Sequence, residues 1–336
     1  MLKSFILLFS ICCSLRGENY LPKFLLSWPT PNPAFAKGMG YSAFLQKTGP
    51  AKEFSSGSFG CVRNNGYKFH EGIDLYPVKR DGKGQAIDTI YAAMSGKVSY
   101  VNNVSSHSAY GRYLVIEHLG IQPAMYSLYG HLASINSRVK KGDTIKVAQP
   151  IGKMGNSASY SIPLSRSHLH FEIGLRLTDK FQSWYDRKSY KSPNRHGNFS
   201  GFNLVGFDPL PFFSKYQAQK FETPLQYLRM LTPEAKIRIK TKYTPDFAKR
   251  YPSLCRFLPD NNGNGWDVIL GPYGLPVSLQ QTNLCQKNDP LVTIISYDQQ
   301  NDHRKCRRLI SKENGKLVLT EQLKVYIELL FGIKVV

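Results

Sequence analysis

Apolar and polar side chains alternate with a period of two in short runs between Tyr67 and about Leu177, and glycines and polar turns separate the runs. The runs fall at 87–91, 96–101, 113–117, 124–131 and 168–175, with a first strand expected at 57–62. Little helical periodicity lies between them, so the pattern predicts a mainly β domain built on an antiparallel sheet. Residues 18–56 are rich in proline, glycine and serine, as in Pro29-Thr30-Pro31-Asn32-Pro33, and read as an irregular lead-in. After Leu177 the residues Trp184, Tyr185, Pro193, Asn194 and Gly197 mark a loop-rich tail ending near Phe213, which sets the β domain at 57–215. The remainder, 216–336, carries mixed signals and reads as a smaller basic α+β region. Thr244-Pro245-Asp246 has the chemistry of a helix start and Asn314-Gly315 that of a hairpin turn. Leu323, Tyr326, Ile327 and Leu330 share one helical face that Gly332 would terminate.

The first residues bear on where the chain works. Lys3 precedes a mostly apolar run at 5–15 that is too short to span a bilayer, so 1–17 read as a signal peptide and the chain as exported to the periplasm, cell envelope or exterior. Cys12 and Cys13 would suit a lipid anchor, but neither follows the small residues such a site prefers, and the unanchored form is the favoured reading. No later stretch is apolar for long enough to cross a membrane.

A formal charge of +21 and a pI of about 9.7 imply attraction to polyanions. The positive charge is spread along the chain rather than gathered in an arm or stripe, which argues against nucleic acid and for anionic envelope polymers. Removal of the leader would leave Cys61, Cys255, Cys285 and Cys306, enough for two disulfides in any of three connectivities. The three late cysteines suggest a bridge within the C-terminal region, with Cys61 at least as well read as a buried free thiol.

Candidate chemistry lies in three segments. In His168-Leu169-His170-Phe171-Glu172-Ile173-Gly174-Leu175 strict alternation puts His168, His170 and Glu172 on one exposed face of a strand and the apolar residues on the other. In His70-Glu71-Gly72-Ile73-Asp74 an imidazole and a carboxylate four apart share a face of an extended segment, with Gly72 adding no side chain between them. Tyr129-Gly130-His131-Leu132 ends a β run with a single histidine. Each alone has an ordinary explanation: a decorated half-buried strand, a surface pair, a structural histidine. Together they offer a donor set that zinc favours, since a catalytic site takes three protein ligands and keeps one position for water.

In order and context these segments resemble the lysostaphin-type, LytM-like zinc endopeptidases. That family carries an early His-x-x-x-Asp, a middle Tyr-x-His-Leu and a late His-x-His strand. Ser58-Phe59-Gly60, 92–98, 113–118, 139–143 and 151–155 also look like its framework, so the likeness runs from about Phe59 to Leu175. The resemblance implies a LytM-like β-sheet catalytic domain with an open groove, one catalytic Zn²⁺ held by His70, Asp74 and His170, and catalytic roles for His131 and His168. It also implies peptidoglycan peptides as substrate and hydrolysis of their cross-links by metal-activated water. Between Gly155 and His168 the chain departs from the family's shorter glycine-rich link, at 156–167, so substrate preference can differ. Glu172 reads as an acceptor behind the ligands or a surface charge, and His118 as framework.

Two rivals stand beside this reading. One is a catalytically silent LytM-like module that binds wall or activates a separate hydrolase, which the full complement of ligands and histidines disfavours. The other is a wall-binding protein with a structural metal, which would need a fourth protein ligand.

Overall fold

A computed structural model describes residues 24–48, 53–300 and 304–335. The signal read at 1–17 and its two cysteines lie outside the described residues. Strands form where alternation predicted them. Tyr113–Glu117 occupies its predicted span, and Gly96–Asn102, Tyr126–Gly130 and Leu169–Arg176 shift only at their ends. The strand expected at 57–62 begins at Gly60, because Phe54–Gly57 winds into a short 3₁₀ turn.

The protein is mainly β. A seven-stranded antiparallel sheet runs from Leu204–Gly206 through Leu169–Arg176, Tyr126–Gly130, Tyr113–Glu117 and Gly96–Asn102 to Thr144–Ile145. Ile73–Leu75 joins the same side of Leu169–Arg176 as Leu204–Gly206, but at its other end. A hairpin of Gly60–Arg63 and Lys68–His70 leads into Ile73–Leu75. In the C-terminal region a five-stranded sheet centres on Gly265–Leu270 and Ala235–Ile239, and Glu321–Phe331 is the helix whose Leu323, Tyr326, Ile327 and Leu330 were expected on one face; all four are buried. Gly332 ends it in the left-handed conformation, and Asn314-Gly315 links two paired strands.

Three features differ from expectation. The loop-rich tail contains the helix Phe181–Arg187, and Pro209–Gln217 and Pro224–Arg229 follow it closely. The last two start by legible cap chemistry: Asp208 accepts from the Leu210 N–H, and Thr223 with Gln226 forms a reciprocal capping box, each just before a proline.

The polar face of Leu169–Arg176 is not exposed; all eight residues are buried. Its far end is covered from the C-terminal region, where the Tyr251 hydroxyl accepts from the Arg176 N–H and Arg250 donates to the Arg176 carbonyl. Arg176 itself is neutralised by Glu117 and Asp179.

The third difference is the disulfide. Cys61 bridges Cys306, while Cys255 and Cys285 are free thiols. The bridge therefore ties the first hairpin to the C-terminal region instead of closing that region on itself. Tyr273 stands with its ring 5.5 Å from Phe59 and 4.9 Å from Phe69, and Arg307 lies over the Phe69 ring at 3.8 Å. Spacing along the chain carries no information about thiols 245 residues apart. Among the described residues no helix is long and apolar enough to cross a membrane.

His118 is structural, as its framework reading implied. Its Nδ1 donates to the Ser95 carbonyl at 3.0 Å, and its Nε2 meets the Ser127 hydroxyl at 2.9 Å. Burial pulls its pKa down to about 4. A histidine lowered in the folded state from the ordinary value near 6.5 contributes stability that is fully present above about pH 6.5 and is lost as pH falls toward 4. Urea titrations between those limits should accordingly show a flatter stability–pH slope in His118→Gln than in the parent. Cys61→Ser or Cys306→Ser should lower the unfolding free energy by about 2–4 kcal/mol. A urea midpoint unmoved by either substitution would contradict a bridge joining the two regions.

Candidate metal centre

The register of two short strands sets the site. Asp74 is the cross-strand partner of His170, Ile73 of Phe171 and Leu75 of Leu169, while His170 faces Gly130 on its other side. The turn before Ile73 runs so close to the sheet that a Cβ built on Gly72 would lie 2.2 Å from the Phe171 carbonyl oxygen. Glycine is needed there for backbone approach, a stronger demand than an unobstructed face. His70 enters at the end of the first hairpin, where Gly60 is its partner.

His70, Asp74 and His170 form a buried group able to hold a cation. His70 Nε2, Asp74 Oδ1 and His170 Nδ1 lie 3.1 Å from one another along all three edges. Tetrahedral ligation with bonds of about 2.0–2.1 Å spaces ligand atoms roughly 3.3 Å apart, so the triangle fits zinc with one corner left open. The outward nitrogens agree with this fit. His70 Nδ1 lies 2.7 Å from the Ser58 carbonyl, which can only accept, so that nitrogen carries the hydrogen and Nε2 has a free lone pair. His170 Nε2 lies 2.9 Å from Glu172 Oε1, and Glu172 in turn accepts from the Tyr126 hydroxyl at 3.0 Å. Glu172 is therefore the acceptor behind a ligand rather than a surface charge.

His131 and His168 stand beside the triangle with ring centroids 4.8 Å apart, and His131 lies 5.8 Å from the His170 ring. Each again commits Nδ1 to a carbonyl, His131 to Ser157 at 2.8 Å and His168 to Arg166 at 2.7 Å. His168 Nε2 comes within 3.5 Å of Asp74 Oδ2. The structure thus brings all five sequence-selected residues together. It adds Arg63, whose guanidinium grips Asp74 Oδ2, and Tyr110, whose ring lies 5.3 Å from that of His170. Neither carried a local signal, since only hairpin pairing and a loop's return deliver them.

The electrostatics express a site short of positive charge. Burial alone would raise the Asp74 carboxyl, but His70, Arg63 and His168 overcome it and hold the pKa well below the usual range. Burial would lower His170, yet hydrogen bonds and charge from Asp74 and Glu172 outweigh it and raise the imidazole to about 9. His70 is lowered by burial against the opposing pull of Asp74. His131 is pushed well down by burial and by the neighbouring His168 and His170. It is therefore a neutral imidazole at ordinary pH, with Nε2 free to accept a proton.

Residues 68–181, roughly a third of the chain, match the model of Peptidase family M23. Among solved structures, the catalytic domain of the prophage-encoded M23 protein EnpA from Enterococcus faecalis is 26% identical, covering 40% of this chain and 82% of that one, at a TM-score of 0.28. The lysostaphin catalytic domain from Staphylococcus simulans is 24% identical over 47% of this chain and 87% of its own, at 0.29. A zinc-containing peptidase from Vibrio cholerae is 28% identical over 39% of this chain and 31% of its own, at 0.25. The chain thus spans less than a third of the Vibrio protein's length. No curated protein matches.

Replacing His70, Asp74 or His170 by Ala should abolish zinc retention, read by elemental analysis after gel filtration. Glu172→Gln keeps the shape but weakens the acceptor, and zinc affinity in a chelator competition should fall roughly 10–100-fold. Undiminished affinity in that variant would remove Glu172 from the site.

Proposed function

We propose that this chain, built around the M23 peptidase domain at 68–181, is an exported zinc-dependent endopeptidase that hydrolyses peptide cross-links of bacterial peptidoglycan. The observation that carries the reading is the 3.1 Å triangle of His70, Asp74 and His170 with two further imidazoles, His131 and His168, beside it. A zinc ion bound there would polarise the scissile carbonyl and acidify the attacking water.

The chain's own groups supply the remainder. Arg63 holds one oxygen of Asp74 and so orients the other toward His70 and His170. His131 and His168 present Nε2 to the reacting atoms because their Nδ1 hydrogens are engaged by carbonyls. One of the two takes the proton from the attacking water on Nε2 and returns it to the leaving amine, and the other, as an imidazolium with hydrogens on both nitrogens, donates from Nε2 to the developing oxyanion. Burial of both rings excludes competing water from these contacts.

A silent wall-binding or hydrolase-activating module would have no use for this arrangement. Neither the Ser157 and Arg166 carbonyls that fix the tautomers nor the neutral, buried His131 serves binding alone. A structural metal is disfavoured too, since the described residues offer a three-member group there.

Zinc-loaded protein incubated with purified cell-wall sacculi should release peptide fragments that mass analysis assigns to amide hydrolysis. His131→Ala and His168→Ala should each retain zinc and lose about 10²–10⁴-fold in rate. Intact sacculi after exposure to zinc-replete protein would overturn the proposal.

A further inference from the structure

The groove beside the triangle is charged in one sense. A cavity of about 240 Å³ is lined by Asp74, His131 and His168 and, beside them, by Arg63, Lys68 and Arg166. Asp74 is the one carboxylate on its wall, and a bound cation would take up that charge. Among the described residues neither Lys68 nor Arg166 forms an ion pair with a carboxylate; the Arg166 side chain reaches only the Lys47 carbonyl, at 3.5 Å.

Another cleft, of about 420 Å³, is lined in part by Tyr110, Tyr113, Trp184 and Tyr326, and its Arg307 is already opposed by Glu71 at 3.4 Å. The groove beside the triangle thus carries two cations without a carboxylate partner, while the arginine of the other cleft is paired.

The segment 156–167 that departs from the family pattern forms one wall of the same cavity, through Tyr160, Pro163 and Arg166. Its base is a built feature: Arg80 donates to the Leu164 carbonyl at 3.2 Å and to both the hydroxyl and the carbonyl of Ser167, at 2.8 and 3.2 Å. Ser167 also accepts from the Ala86 N–H at 2.6 Å. Arg166 is thus carried on a braced loop, and Lys68 stands across the groove on the first hairpin.

We infer that the groove selects peptides bearing free carboxylates beside the scissile amide, with Lys68 and Arg166 as specificity-determining residues. The inference rests on the reading of this groove as the substrate site. Carboxylates placed there meet guanidinium and ammonium groups at a partly exposed rim, whereas carboxamides or a plain glycine chain leave those cations without a partner. Each partly exposed pair is worth roughly a twofold to fivefold change in binding, and two pairs give about a tenfold preference.

The test uses the full-length chain with zinc bound and His131→Ala to prevent turnover. The probes are a fluorescent peptide dimer cross-linked through a D-alanyl amide with free carboxylates and the same dimer fully amidated. The carboxylate form should bind about tenfold more tightly at low salt, and the preference should shrink several-fold as salt is raised to about 0.5 M. Lys68→Gln and Arg166→Gln should each cut the ratio of the two affinities about twofold to fivefold, a readout that general loosening of the fold would not move selectively. Equal binding of the two dimers, or a preference indifferent to both substitutions, overturns the inference. Protein that discriminates between the dimers yet leaves sacculi intact would sink the hydrolase reading while leaving this one standing; equal cleavage of both forms by the parent would do the reverse.

Discussion

The site depends on the antiparallel register that sets Asp74 opposite His170. Side chains on a strand alternate between faces, so a slip of one residue in this pairing would turn the carboxylate into the core and leave two imidazoles facing nothing. Gly72 is what lets the turn before Ile73 come close enough for the pairing to start where it does. On the opposite flank Gly130 leaves the space that the His170 side chain fills. One close approach thereby fixes three donor atoms at a common spacing.

Burial makes this arrangement expensive unless each polar atom is answered, and the surroundings answer them one by one. Four imidazoles each give one nitrogen to an acceptor outside the group, three of them backbone carbonyls and the fourth Glu172. The second oxygen of Asp74 is held by Arg63. What remains is a set of inward-facing lone pairs and a buried negative charge, and hydrogen bonds and charge from Asp74 and Glu172 draw the His170 imidazole up to about 9 against its burial.

The C-terminal region belongs to the same mechanical unit. The Cys61–Cys306 bridge, the ring of Tyr273 against Phe59 and Phe69, and Arg307 over Phe69 all act on the hairpin that delivers Arg63 and His70. At the other end of the sheet, Trp184 donates to Glu328 at 3.0 Å, and Arg250 reaches the Arg176 carbonyl. Buried apolar residues of both regions form one continuous cluster. The last third of the chain is therefore packed against the strands and hairpin that carry the site.

By itself the sequence determined the strands around Tyr113, Tyr126 and His170 and the terminal helix with its Gly332 stop, because periodicity is a local property, while the five residues that converge were singled out by the order and context in which their segments resemble a known family. The Asp208 and Thr223 caps are equally local signals. Only the tertiary structure decided that Cys61 meets Cys306, that Arg63 grips Asp74, that Glu172 lies buried behind His170, and that Lys68 and Arg166 share one cavity. Each of these joins residues through strand pairing or loop return, and which distant segments meet is settled by the packing of the whole chain, a quantity that no window of neighbouring residues contains.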